Sequence, residues 1–144
     1  MFNPTRDQVR DFFFEMWRKY RASEPLAGAE TIALDITLLH PEYHAVLDNP
    51  EKHREQAYFP ELGETNPFLH MSLHMALEEQ LSIDQPAGVR QRFADLLARC
   101  GGDRHKALHE AVECLAEMVW RSQQDSAPPD AAAYLENLGS RARK

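Results

Sequence analysis

The spacing of apolar side chains is the feature that most restricts the fold of this chain. Apolar residues recur at intervals of three and four along almost the whole sequence, and runs that alternate with period two are absent. The first stripe is formed by Val9, Phe13, Met16, Trp17 and Tyr20. This period buries one face of a helix and does not match the alternation of a strand. The sequence therefore predicts an all-α protein.

Start and stop signals divide this pattern into a bundle of five or six helices. Capping residues such as Thr5, Asn66 and Asp103 mark helix starts, and Gly139 marks an end. The predicted helices cover residues 5–21, 27–39 with a short continuation over 41–48, 67–81, 87–100, 104–123 and 130–138. Residues 50–65, which include Pro60 and Gly63, are predicted to form a loop. We expect one helical domain over residues 1–139 and a basic, disordered tail over residues 140–144.

Charge and composition exclude several classes of function. The chain has 16 basic and 23 acidic side chains, a net charge of −7, so it lacks the excess of Lys and Arg that a nucleic-acid partner requires. No apolar run approaches the roughly 20 residues of a membrane span. The first ten residues are polar and charged, unlike a signal peptide, and we expect a cytoplasmic protein. Cys100 and Cys114 lack CxxC spacing, and Cys114 is expected to fill core volume.

Histidine placement is the feature most informative about function. Six of the seven histidines lie in pairs four residues apart, and His53 is the exception. The pairs are His40/His44, His70/His74 and His105/His109. Residues four apart in a helix lie one turn apart on the same face, so both imidazoles of a pair can reach one ion. The second and third pairs continue by the same step to Glu78 and Glu113.

Helix geometry places these histidines on or beside buried faces. At about 100° per residue, His74 lies about 40° from His70, and Leu77 lies about 20° away on the other side. His105 and His109 likewise lie within or at the edge of the apolar arc around Leu108. Buried imidazoles need hydrogen-bonding partners and buried carboxylates need a positive one. A divalent cation satisfies both demands.

The sequence therefore predicts a helical-bundle metalloprotein with a buried site of histidines and carboxylates between helices. His70, His74 and His109 are the predicted inner ligands. The ligands predicted to complete one or two ions are Glu113, Glu78 and His44, and His40 and His105 are ligands or residues that orient ligands. This mixed set suits zinc, iron, nickel or manganese.

Two kinds of chemistry and one alternative remain open for such a chain. An open coordination position would support a metal-dependent hydrolase, and an iron pair would support redox or oxygen chemistry. The alternative is a non-catalytic helical interaction module whose histidines only pack in the core. The sequence does not identify a small-molecule substrate.

Phe14 suggests an oligomer. It lies about 200° from Phe12 around the first helix, among Asp7, Arg10 and Arg18, whereas the other apolar residues cluster on the opposite side. A large aromatic side chain on a charged face indicates contact with another surface. We therefore expect a homodimer or a contact with the chain's own C-terminal segment.

Three segments resemble a bacterial family of uncharacterised proteins. Residues 1–8 (MFNPTRDQ), 40–44 (HPEYH) and 64–74 (ETNPFLHMSLH) are similar to the domain of unknown function 1841 family. This resemblance covers nearly the whole chain and implies no activity or site residues. The spacings His70-x₃-His74 and His74-x₃-Glu78 are also similar to short motifs of hemerythrin-like and DinB-like helical bundles. Those bundles bind metal through histidines and carboxylates, and by analogy they imply a helical metal site.

Overall fold

The structure is a computed structural model that describes residues 5–59 and 62–144. Within these residues every regular element is a helix and no strand occurs, which confirms the all-α prediction. Eight α-helices lie in this part of the chain, more than the five or six predicted. They are α1 (Arg6–Arg21), α2 (Ala29–Leu38), α3 (His44–Asp48), α4 (Pro50–His53), α5 (Pro67–Ile83), α6 (Val89–Arg99), α7 (Arg104–Asp125) and α8 (Ala131–Ala142).

The additional helices come from the segment after α2. The short helix predicted over residues 41–48 is a 3-10 turn over Pro41–Tyr43 followed by α3. Helix α4 begins at Pro50, inside the predicted loop over residues 50–65. Proline blocks a continuing helix because it has no N–H, but its fixed φ suits the first position of a new helix. Pro60, part of the same predicted loop, lies outside the described residues.

Helix α8 continues beyond the predicted stop at Gly139 and ends at Ala142. Residues 140–142, predicted to belong to a disordered tail, are therefore helical. A Cβ atom at position 139 would lie 3.2 Å from Nη1 of Arg143 and 3.5 Å from Nε of Arg92. The glycine thus lets arginine side chains approach the helix closely and does not end it.

The first compact unit ends at Met75, and its core is aromatic. Phe13, Met16 and Trp17 of α1 are buried there together with Phe68 of α5. Phe14 is only 8% exposed, and its ring centroid lies 5.4 Å from that of Phe68. The expectation that Phe14 lies on an exposed charged face is therefore wrong. Because Phe14 is buried within its own chain, it gives no support for a homodimer.

Arg10 shows why a charged residue on this face of α1 does not make the face exposed. Its side chain is 2% exposed, and Nη1 donates hydrogen bonds of 2.8 Å to the carbonyl oxygens of Arg54 and Gln56. The guanidinium carbon also lies 4.8 Å from the ring centroid of Phe68. A charged side chain can join a core when carbonyl groups and an aromatic ring replace its water.

The second compact unit begins at Ala76 and contains α6, α7 and α8. Its buried apolar residues include Phe93 and Leu96 of α6 with Leu108 and Leu115 of α7. Tyr134 of α8 is buried and donates a hydrogen bond of 2.6 Å to Oε1 of Gln80. Among the described residues, none of the helices combines the length and the apolar character that a bilayer crossing requires.

Candidate metal centre

Helix α5 holds two histidines on one face. Asn66 caps this helix, because its Oδ1 accepts hydrogen bonds from the N–H groups of Phe68 and Leu69 at 3.0 and 3.2 Å. The uninterrupted helix then carries His70 and His74 one turn apart, with their Nε2 atoms 3.1 Å from each other. His74 is 1% exposed, whereas His70 is half-buried. Their close approach is what the spacing of four residues in an uninterrupted helix produces.

His40 reaches the same point from the end of α2. Pro41 disfavours a helical conformation for the residue before it, and His40 adopts φ −128° and ψ 67°. Its Nδ1 lies 2.8 Å from the carbonyl oxygen of Ile36, and its Nε2 lies 3.2 Å from Nε2 of His70. A carbonyl oxygen can only accept, so Nδ1 carries the hydrogen and, in the neutral ring, Nε2 presents its lone pair to His70. The ring is buried, with 2% exposure.

Hydrogen bonding alone does not account for both close contacts of His70. An imidazole nitrogen has either one hydrogen or one lone pair in the ring plane. Nε2 of His70 nevertheless faces ring nitrogens of His40 and His74, at 3.2 and 3.1 Å. At most one of these contacts is an ordinary hydrogen bond. A cation that accepts a lone pair from each ring could be shared by all three nitrogens.

The spacing of the three nitrogens suits a metal ion. Bonds of about 2.0–2.1 Å to histidine place two ligand nitrogens about 3.3–3.4 Å apart at a tetrahedral angle and about 2.8–3.0 Å apart at a right angle. The observed 3.2 and 3.1 Å lie between these limits. One ligand nitrogen of each ring also lies within 4.8 Å of the other two. His40, His70 and His74, called the histidine cluster below, could therefore hold a metal ion.

His44 does not belong to the histidine cluster, although it was a predicted ligand. Its Nε2 lies 2.8 Å from the carbonyl oxygen of Thr37 and therefore donates a hydrogen bond to it. Its ring centroid lies 4.6 Å from that of Trp17. The His44 side chain thus links α3 to the end of α2 and to the aromatic core.

The two predicted carboxylate ligands also lie outside the cluster. Glu78 accepts hydrogen bonds of 2.9 and 3.1 Å from Arg104, and the exposed Glu113 accepts one of 2.6 Å from Arg141. Among the described residues, the group that could hold a metal contains no carboxylate. The candidate group thus consists of imidazoles, whereas the two carboxylates form ion pairs with arginines.

The third histidine pair lies on α7, in the second unit. The ring centroids of His105 and His109 are 4.2 Å apart, with an angle of 83° between the ring planes. His105 is exposed and His109 is half-buried. The pair therefore has the edge-to-face contact expected of neighbours one helical turn apart.

Tyr43 is a residue of the site that the sequence prediction missed. Its ring is parallel to that of His40, with 5.5 Å between centroids and 5° between planes, and it meets His70 edge-on at 6.0 Å. Burial raises the pKa of its hydroxyl, and Glu42 adds to this effect. The string HPEYH places this aromatic residue three positions after His40, but nothing in the apolar spacing indicates which way it points.

Cys114 is not a nucleophile of this site. It is 1% exposed in the core of the second unit, as predicted for a residue that fills core volume. Burial raises the pKa of its thiol to about 11, so the reactive thiolate is scarce at neutral pH. The histidine cluster therefore remains the candidate centre of chemistry.

Comparison with known proteins identifies a family and no function. No curated protein and no solved structure matches the chain. The model of a family described as a domain of unknown function (DUF1841) matches residues 5–140, which include all seven histidines and nearly all of the described helices. The chain therefore belongs to the domain of unknown function 1841 family.

Proposed function

We propose that the chain is a metal-binding helical protein that binds a divalent transition metal through His40, His70 and His74. One observation carries this proposal. Nε2 of His70 lies 3.2 Å from Nε2 of His40 and 3.1 Å from Nε2 of His74, separations that suit three ligands of one ion. The hydrogen bond from His40 to Ile36 adds support, because metal-binding histidines commonly donate their other N–H to a carbonyl group.

The chemistry of the three ligands reduces the number of candidate metals that the sequence allowed. Imidazole nitrogens suit zinc, iron, nickel and copper, whereas manganese favours carboxylate and water ligands. Helical bundles that hold iron pairs use several glutamates, and the cluster among the described residues has none. We therefore propose a single ion, with zinc and nickel as the first metals to test.

We keep His109 as a further proposed ligand, on the grounds of its sequence position. It follows His105 by one turn on α7 and lies at the edge of an apolar arc. Closed zinc sites usually have four protein ligands, one more than the histidine cluster supplies. The His109→Ala variant should therefore bind metal more weakly than the parent while keeping some affinity through the other three rings.

Metal analysis of the purified full chain tests the proposal directly. We expect close to one equivalent of metal, either as isolated or after titration with Zn²⁺ or Ni²⁺. The His70→Ala/His74→Ala variant should lose this binding. The matched control is His53→Ala, because the His53 ring lies 2.5 Å from Oε1 of Gln56 and is not part of the cluster.

Thermal unfolding gives an independent measurement. An ion at a hundredfold excess over its dissociation constant adds about 2.7 kcal/mol to the free energy of unfolding. A chelator should therefore lower the melting temperature of the parent and of His53→Ala, and have no effect on the double variant. A parent that takes up no metal and ignores the chelator would instead indicate the helical interaction module, with histidines that only pack.

A further inference from the structure

Two arginine side chains lie against the same glycine in the second unit. Gly139 is part of α8, although glycine is among the residues least favourable inside a helix. A Cβ atom at this position would lie 3.2 Å from Nη1 of Arg143 and 3.5 Å from Nε of Arg92. The missing side chain therefore lets a guanidinium group from α6 and one from the end of α8 approach the same point of the helix.

The proximity of these two positive groups has a local explanation for only one of them. Like charges repel each other at short distance. Arg143 follows the last residue of α8, where the helix dipole favours a basic side chain. Arg92 lies in the N-terminal half of α6, where the dipole gives no such advantage. An anion shared by the two guanidinium groups would account for their arrangement.

A cleft of about 450 Å³ opens beside the two arginines. Its lining consists of Arg92, Asp95, Gly139, Ala142 and Arg143. Glycine and alanine have no polar side-chain atoms, so the polar side chains of the lining are two guanidinium groups and one carboxylate. The cleft therefore presents mainly hydrogen-bond donors to a molecule that enters it from solvent.

The neighbouring carboxylates leave these donors available. Oε1 of Glu136 lies 3.0 Å from Nη2 of Arg143, but both side chains are largely exposed, so this ion pair is weak and a ligand can replace it. Asp95 accepts a hydrogen bond of 2.9 Å from Gln91. Within the described part of the chain, Arg92 forms no ion pair with a carboxylate. Because each guanidinium has five N–H groups, both arginines can donate to a ligand.

We propose that this cleft binds a phosphate group, either as free phosphate or as a small phosphate ester. Phosphate has several oxygens in a tetrahedral arrangement, so the two guanidinium groups can each bind different oxygens of one ligand. A carboxylate has two oxygens and serves one guanidinium group in this way. The site uses residues of the second unit alone and does not depend on the proposed metal centre.

Calorimetric titration of the metal-free full chain with inorganic phosphate, at constant ionic strength in NaCl, tests this site. We expect saturable binding that sulfate competes with and formate does not. Arg92→Gln should lower the affinity on the order of tenfold, because charged hydrogen bonds to the anion are lost. The matched control is Arg121→Gln, which removes an arginine that pairs with Glu117 on α7 and lies outside the cleft. This control should bind phosphate like the parent.

Gly139→Ala distinguishes a binding site from a packing contact. Alanine favours a helix, and the atom closest to the new Cβ is at the end of the flexible Arg143 side chain. The variant should therefore fold, with a urea midpoint equal to that of the parent or higher. Its methyl group would nevertheless displace the guanidinium groups, so the affinity for phosphate should fall.

The results also identify the source of the phosphate group. Glycerol 3-phosphate that binds more tightly than inorganic phosphate would support an ester as the ligand, and weaker binding would support free phosphate. A parent chain that binds neither would overturn the site. Unchanged phosphate affinity in Arg92→Gln, or in folded Gly139→Ala, would overturn the proposed role of these residues. Formate that binds as tightly as phosphate would overturn the preference for a tetrahedral anion.

Discussion

His40 and His44 have different environments, although they are spaced like a pair of metal ligands. Both rings bind carbonyl groups at the end of α2, His40 that of Ile36 and His44 that of Thr37. The rule that residues four apart share a helix face requires an unbroken helix, and Pro41 interrupts it here. The rule succeeds for His70 and His74 because α5 is continuous. Spacing alone could therefore predict two members of the histidine cluster but could not choose between His40 and His44.

Substitution of these two histidines should give opposite results. His44→Ala should keep one equivalent of metal but lower the free energy of unfolding by about 1–3 kcal/mol, because the buried carbonyl of Thr37 loses its donor. His40→Ala should lower metal affinity at least about tenfold, since it removes a ligand. Calorimetric titration with Zn²⁺ and urea unfolding of both variants measure these effects. Loss of metal binding in His44→Ala but not in His40→Ala would instead favour His44 as the ligand, as the sequence predicted.

Helix starts were easier to predict than short helices or helix ends. Thr5, a predicted cap, forms a capping box with Gln8 through hydrogen bonds of 3.1 and 2.8 Å in the two directions, and Asp103 caps α7 as predicted. These signals depend on residues close in sequence, so they can be recognised without the fold. The end of α8 involves a tertiary contact, the approach of Arg92 of α6 to Gly139, and Arg10 of α1 binds the carbonyl groups that follow α4. No local pattern contains that information.

The capping box of α1 should contribute measurably to stability. Thr5→Ala removes the oxygen that accepts from the N–H of Gln8 and should lower the free energy of unfolding by about 1 kcal/mol. Thr5→Ser keeps the hydroxyl group and should change the free energy of unfolding little. Adding Gln8→Ala to Thr5→Ala should cost less than the sum of the single changes, because the two hydrogen bonds form one unit. Urea unfolding monitored by circular dichroism measures these variants together with Gln8→Ala alone, and strict additivity would contradict a coupled cap.

Across the whole molecule, ion pairs at the surface make the free energy of unfolding depend on pH. The folded chain lowers the pKa of Asp11, Glu15, Glu24, Glu30 and Asp84. The largest cause is a hydrogen bond from a basic side chain in the first four, and from the backbone N–H of Arg90 in Asp84. Because the folded pKa is lowered, each carboxylate adds stability above its unfolded pKa, and that stability is lost as the pH falls through the folded value.

The metal-free protein should therefore lose stability in moderate acid. Unfolded Asp and Glu have pKa values of about 3.9 and 4.3, so the urea midpoint should fall as the pH decreases from about 5 to 3. Asp11, Glu15 and Glu24 are exposed, so 0.5 M NaCl should weaken their ion pairs and make the decrease of the urea midpoint shallower. Arg54→Met removes the side chain that donates hydrogen bonds to Asp11, and should also make the decrease of the urea midpoint shallower. A midpoint that stays constant down to pH 3 would show that these pairs contribute nothing to stability.

The hydrogen bond from His40 to the carbonyl of Ile36 also has a kinetic consequence. It fixes the orientation of the ring and keeps the hydrogen on Nδ1, so no proton has to move between ring nitrogens when an ion arrives. A side chain that is already ordered loses little rotamer freedom on binding. The rate of metal association would then be limited by how fast the ion loses its hydration water. Dissociation requires the bonds from several oriented rings to break together.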